Sequence, residues 1–141
     1  MSRHLKYWII YYGIWQFVHL ALNLIHFLGD PATSPIRALV GGTMGEEQIR
    51  IFELSGYIDT IVAIPAAMAF VIGYMFRKSW ALPVGLVSLT IAVYSAYVNI
   101  YLHGIFGTFA VNAFSALVGY LSFLPNVILW VLVIVEISRR Q

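Results

Sequence analysis

Cysteine is absent from the 141 residues, which removes disulfides, thiolate metal sites and a cysteine nucleophile from consideration. Charge is scarce. Asp, Glu, Lys and Arg make up 10% of the chain, against roughly 25% in a typical soluble domain. Hydrophobic residues make up 61%, more apolar surface than a soluble fold of this length can hide. The net charge is only +2 and the basic residues are scattered, so no nucleic-acid-binding patch is expected. No internal repeat or soluble domain is evident, and none of the four long apolar segments carries a G-x-x-x-G motif. The N-terminus also lacks a small-x-small cleavage site. Its apolar run is about twice the length of a signal-peptide core and carries Gln16, His19, Asn23 and His26, which predicts a retained helix.

What remains is long apolar segments. A membrane span needs about 20 mainly apolar residues, and four segments qualify: Tyr7–Leu28, Ile51–Phe76, Trp80–His103 and Thr108–Ile137. The expected fold class is all-α, a single domain over residues 1–141 forming an integral membrane four-helix bundle with a polar-lined cavity inside it. Residues 29–50 form a long Gly- and Pro-containing connection, with a short helix expected near Glu46–Arg50. Arg3, Lys6, Arg77, Lys78, Arg139 and Arg140 fall at one end of the spans, while the long connection carries only Arg37 and Arg50. The positive-inside rule therefore predicts both termini in the cytosol. The membrane would be the endoplasmic reticulum in a eukaryote and the inner or plasma membrane in a prokaryote.

Ionisable side chains inside hydrocarbon cost several kcal/mol unless they face protein or trapped water, so their positions carry information. Gln16, His19, Asn23 and His26 share one face of the first span. Ser55 and Asp59 lie one turn apart on the second, and Pro65 frees a backbone carbonyl nearby. Thr90, Tyr94, Tyr97 and Tyr101 make a stripe on the third, and Asn112, Ser115, Gly119, Ser122 and Asn126 another on the fourth. At about 1.5 Å per residue, His19 and Asp59 lie roughly 12–14 Å below the long-loop surface, Tyr94 about 14 Å and Ser115 about 10 Å. Four antiparallel helices would bring these groups to one level. The expected catalytic residues are Asp59, His19 and Asn23. The expected substrate contacts are Gln16, Trp15, Ser55, Tyr94, Tyr97, Asn112 and Ser115, ringed by Trp8, Phe17, Phe52, Phe70 and Phe123. Polar seams also glue transmembrane helices together, an alternative reading for the tyrosine stripe and the Ser/Asn/Gly face. Glu53 and Glu136, close to span ends, read as interfacial.

No metal or cofactor is expected. His19 and His26 stand about 10 Å apart along the helix axis and cannot share an ion. A bis-histidine haem would need a second helix to supply a ligand, and only His103, at a span end, is available.

Phe17-Val18-His19-Leu20 followed by Asn23 resembles the EXPERA-domain family, which includes the emopamil-binding sterol isomerases and the sigma-type sterol-binding receptor. Asp59-Thr60-Ile61 with Pro65, the basic turn Arg77-Lys78-Ser79-Trp80 with Pro83, and Leu124-Pro125 are similar to later family features in the same order. The resemblance implies a bundle that takes sterol-like molecules, with His19 matching the isomerase histidine and Asp59 the second-span acid. Asn23 stands where those isomerases carry a glutamate.

Shifting a double bond through a carbocation needs one group to protonate an alkene and another to take a proton from a neighbouring carbon. A deeply placed Asp59 kept protonated is the expected acid and His19 its partner. Aromatic faces such as Trp15 and Tyr94 would stabilise the cation. The expected function is a membrane-embedded acid-base isomerase or cyclase acting on a sterol, terpenoid or similar apolar substrate. The alternatives are a non-catalytic lipid-binding, receptor-like protein and an accessory subunit of a larger complex. Membrane lipids are the expected surroundings, and Gly73 and Gly85 would support a homodimer.

Overall fold

The computed structural model describes residues 3–29, 46–105 and 113–140. They form four helical rods, with no strand among the described residues. The first rod is α1, Arg3–Leu28. The second joins α2 (Glu46–Ile58), a π-helical segment (Asp59–Ala63) and α3 (Ile64–Met75) without a break. The third is α4, Ala81–Ile105, and the fourth α5, Ala113–Ser138. Helices running His4–Leu28, Ile49–Met75 and Ala81–Val98 are long and apolar enough to cross a membrane, by length and composition. The apolar stretch described within α5 is Phe123–Ser138. The short helix expected at Glu46–Arg50 is not separate: it is the first turn of the second rod.

Local sequence explains where the rods stop and bend. The turn after α3 places Arg77 at φ 54, in the left-handed region, while Lys78 N–H bonds to Gly73 C=O at 2.8 Å and Arg77 N–H to Tyr74 C=O at 3.0 Å. These two bonds satisfy carbonyls that a helix end leaves open. Pro83 is tolerated because it falls in the first turn of α4. Pro125 lies inside α5, where it cannot bond to the carbonyl of Leu121. Tyr11 from α1 donates its hydroxyl to that carbonyl at 3.4 Å.

The rods form a ring in chain order, with α1 and α4 each packed between α3 and α5. At the end bearing Arg77, Lys78, Arg139 and Arg140 (the basic end) the interior is apolar. Ile9, Ala67, Phe70, Leu89, Leu129 and Val133 are fully buried there. Hydrocarbon tails are as apolar as leucine, so in a membrane such a layer is held by close packing rather than by the hydrophobic effect. Glycine permits that closeness. A Cβ on Gly85 would lie 2.4 Å from the Phe70 ring, and one on Gly73 would lie 2.5 Å from the Trp80 ring. The expectation that these glycines serve a dimer is thereby corrected: both are buried inside the fold.

Candidate functional site

The opposite half of the bundle is polar inside. Tyr12, Gln16, His19, Asn23 and His26 recur every three or four residues along α1, so they fall on one helical face. That face turns towards the second rod and α4. At the outer end, His26 Nε2 lies 3.3 Å from Glu53 Oε1, so Glu53 pairs across the helix interface. Beside them Phe27 stacks on Tyr57, with ring centroids 3.8 Å apart. One turn deeper, the Asn23 side-chain amide donates to Thr60 Oγ1 at 2.9 Å and to the Gly56 carbonyl at 3.3 Å. Thr60 itself donates to the Gly56 carbonyl at 2.8 Å.

Asp59 lies at the next level inward. It is 8% exposed and opens the π-helical segment, whose wider turn is closed by the Ile64 N–H bonding to the Asp59 carbonyl. The cause is in the sequence: Pro65 supplies no N–H and its ring crowds the preceding turn, and a single wide turn relieves the crowding. Ser95 on α4 donates to Asp59 Oδ1 at 3.4 Å. His19 on α1 is half-buried and close enough for its charge to interact with that of Asp59. Three rods thus deliver a carboxyl, an imidazole and a hydroxyl to one place. The row ends inward at Tyr12, whose hydroxyl is 3.0 Å from Ser88 Oγ and within reach of Gln16. Beyond it lies the apolar layer.

The expected site is gathered in part. His19 lies near enough to Asp59 for their charges to interact, Gln16 is buried on the same row, and Ser55 is half-buried one turn outward. Trp15 is half-buried beside the row. Asn23 faces the second rod: both its amide bonds go there, so it clamps two helices. Tyr94 and Tyr97 point away from the cluster, 70% and 58% exposed. The physical reason is that α4 buries its small-residue face, Ala81, Gly85 and Ser88, which lets backbones approach, and the aromatic stripe is left outside. Phe17 is also outward, and Phe70 belongs to the apolar layer. Asn112 and the side chains of Ser115 and Phe52 lie outside the described residues. The expected polar-lined cavity is not seen among the described residues. A groove of about 340 Å³ lies instead on the outer face of α4 and α5 between Tyr94, Tyr97, Phe123 and Trp130.

Four participants escape a reading of polar spacing alone: Tyr12, Thr60, Ser88 and Ser95. Each leaves a signal. Tyr12 extends the α1 row by one step, Thr60 adjoins Asp59, and Ser88 and Ser95 are seven residues apart on the small-residue face of α4. Among the described residues no three His, Asp or Glu side chains converge as a metal would require. No protein-family model, curated protein or solved structure matches the chain, so the chemistry of the cluster rests on its own residues.

Proposed function

We propose that the chain is a membrane-embedded acid-base isomerase or cyclase acting on a sterol, terpenoid or similar apolar substrate. The observation that carries this reading is the buried Asp59, set on a π-helical turn beside His19 and Ser95. In the proposed reaction, protonated Asp59 gives its proton to an alkene carbon, leaving a carboxylate and a substrate carbocation. His19 then takes a proton from the neighbouring carbon, and the double bond re-forms one position along. Proton return from His19 to Asp59 restores the starting state, so no proton is gained or lost. The π-turn supports this role because such turns recur where helices carry functional groups. The likeness of Phe17-Val18-His19-Leu20 and of Asp59 with Pro65 to the EXPERA-domain isomerases points the same way.

A second reading is a lipid-binding, receptor-like protein in which Asp59 anchors a hydroxyl or amine. What favours it is the first rod: Asn23 replaces the glutamate of those isomerases, and its amide is committed to Thr60 and Gly56. Mass spectrometry of apolar molecules co-purifying with wild type and with Asp59→Asn separates the two. An enzyme carries one isomer on the wild type and the other on the variant. The same lipid on both would support the binding protein, and no bound molecule on either would sink both readings.

A further inference from the structure

The interior of the bundle changes character along its length, and the change is one-sided. From the outer end inwards, polar side chains meet at every turn of α1: His26 with Glu53, Asn23 with Thr60, then His19 near Asp59 and Ser95. Successive levels are about one turn, roughly 5.4 Å, apart. One water spans such a gap with two hydrogen bonds of about 2.8 Å each. The Glu53 side chain is 27% exposed and that of His26 3%, so this pair joins the surface of the bundle to the buried row. Counted from Ile49, where the apolar span of the second rod begins, Glu53 lies about 6 Å deep and Asp59 about 15 Å.

Towards the basic end the row stops. On α1 the positions that follow Tyr12 on the same face are Ile9 and Leu5, both buried and apolar. Among the described residues, the buried side chains between the Tyr12–Ser88 pair and the basic end are apolar except for the Tyr74 hydroxyl, which has no hydrogen-bond partner. Phe70 lies against both phenols, its ring centroid 6.2 Å from that of Tyr12 and 6.3 Å from that of Tyr74. Gly85 lets α4 close over the same ring. From Tyr12 to Arg3 the helix runs about 13 Å. A layer of that thickness, packed without polar groups, gives a proton nothing to bond on the way.

We infer that Asp59 and His19 exchange protons with the outer end of the bundle alone, by way of the His26–Glu53 pair, so that the pH on that side sets their charge. On uptake, a hydronium ion at the outer end gives up its proton, Glu53 and His26 hand it inwards, and the Asp59 carboxylate becomes the neutral acid. Release is the reverse, so one positive charge crosses the outer part of the membrane each way. The titratable side chains facing Asp59 are His19 and Tyr12 of α1. On α4 it meets Ser95, while Tyr94, Tyr97 and Tyr101 are exposed; Tyr120 of α5 is exposed too, and Glu136, Arg139 and Arg140 lie at the basic end. The inference rests on the reading of Asp59 and His19 as an acid-base pair but not on any substrate. In the proposed reaction the proton returns to Asp59 after each turnover, and this route sets the protonation from which the cycle starts.

Dicyclohexylcarbodiimide supplies the test, because it dissolves in the bilayer from both sides and reacts only with a protonated carboxyl. The acid adds across one C=N bond, its proton going to nitrogen and its oxygen to the central carbon. The acyl group then migrates to nitrogen, leaving a stable N-acylurea and no other product. Wild-type protein is sealed in proteoliposomes sorted by a C-terminal tag so that the basic end faces inwards. The membrane potential is held at zero and a gradient of about 3 pH units is imposed in either direction, over a range of mean pH. Such a gradient changes the protonated fraction of an accessible carboxyl by up to about a thousandfold. The Asp59 peptide, followed by mass spectrometry, should be labelled at least about tenfold faster when the acidic side is the outer end of the bundle. Equal labelling in both directions at every mean pH, faster labelling from the basic end, or no labelling at all would overturn the inference. Replacing the mouth by apolar groups, His26→Leu with Glu53→Leu, should abolish the difference, and a difference that survives would remove that pair from the route. Labelling reads proton access and not turnover. A one-sided result with the same lipid on wild type and Asp59→Asn would therefore end the isomerase reading and leave the proton route standing.

Discussion

Replacing Asn23 by alanine removes a side chain that is 1% exposed and gives both amide hydrogens to the second rod, at 2.9 Å to Thr60 Oγ1 and 3.3 Å to the Gly56 carbonyl. Interhelical hydrogen bonds in membranes average about 0.6 kcal/mol each, because the separated helices find other partners, so two contribute about 1.2 kcal/mol. Removing the amide group also leaves a small void against Gly56 and Phe27, which sit close to Asn23. At about 24 cal/mol per Å³ over some ~40 Å³, that adds about 1 kcal/mol. The expected loss is therefore about 2 kcal/mol, measured by reversible unfolding in mixed micelles. Thr60→Val keeps the shape and removes one of the two acceptors. In the double variant the shared bond is counted once, so the cycle should show a coupling of about 0.6 kcal/mol and not above about 1.7. If Asn23 instead orients His19, Thr60→Val will leave the effect of Asn23→Ala unchanged and the coupling will vanish. That result would refute the clamp.

Gly85→Ala places a methyl 2.4 Å from the Phe70 ring, which is fully buried and cannot swing into open space. Overpacking of this kind costs about 1–3 kcal/mol. A variant as stable as wild type in the same unfolding assay would show that α3 and α4 are not in close contact there. Tyr74→Phe should have the opposite sign, because the Tyr74 hydroxyl is buried with no hydrogen-bond partner among the described residues. Removing an unsatisfied hydroxyl is expected to stabilise by about 1 kcal/mol. A clear loss of stability would mean that the hydroxyl has a partner near the Glu136–Arg140 pair beside it.

How much of this was legible beforehand depended on what each feature needs. Helices within a residue or two of Leu28, Met75, Ala81 and Ser138 follow from apolar length, Gly and Pro breakers and the Arg77-Lys78 turn, all of which act along one stretch of chain. The inward face of α1 was equally local, since three- and four-residue spacing on a helix defines a face by itself. The clamp at Asn23 was not, because it needs the Gly56 carbonyl and Thr60 hydroxyl brought across from another rod. The tyrosine stripe of α4 shows the sharper difference. The sequence determined that Thr90, Tyr94, Tyr97 and Tyr101 share a face, but two faces competed for the interior. Only the tertiary structure decided between them. Helices in hydrocarbon gain by close backbone approach. The face with Gly85 and Ser88 allows Phe70 and Tyr12 to come within contact, and tyrosine rings would hold the helices apart.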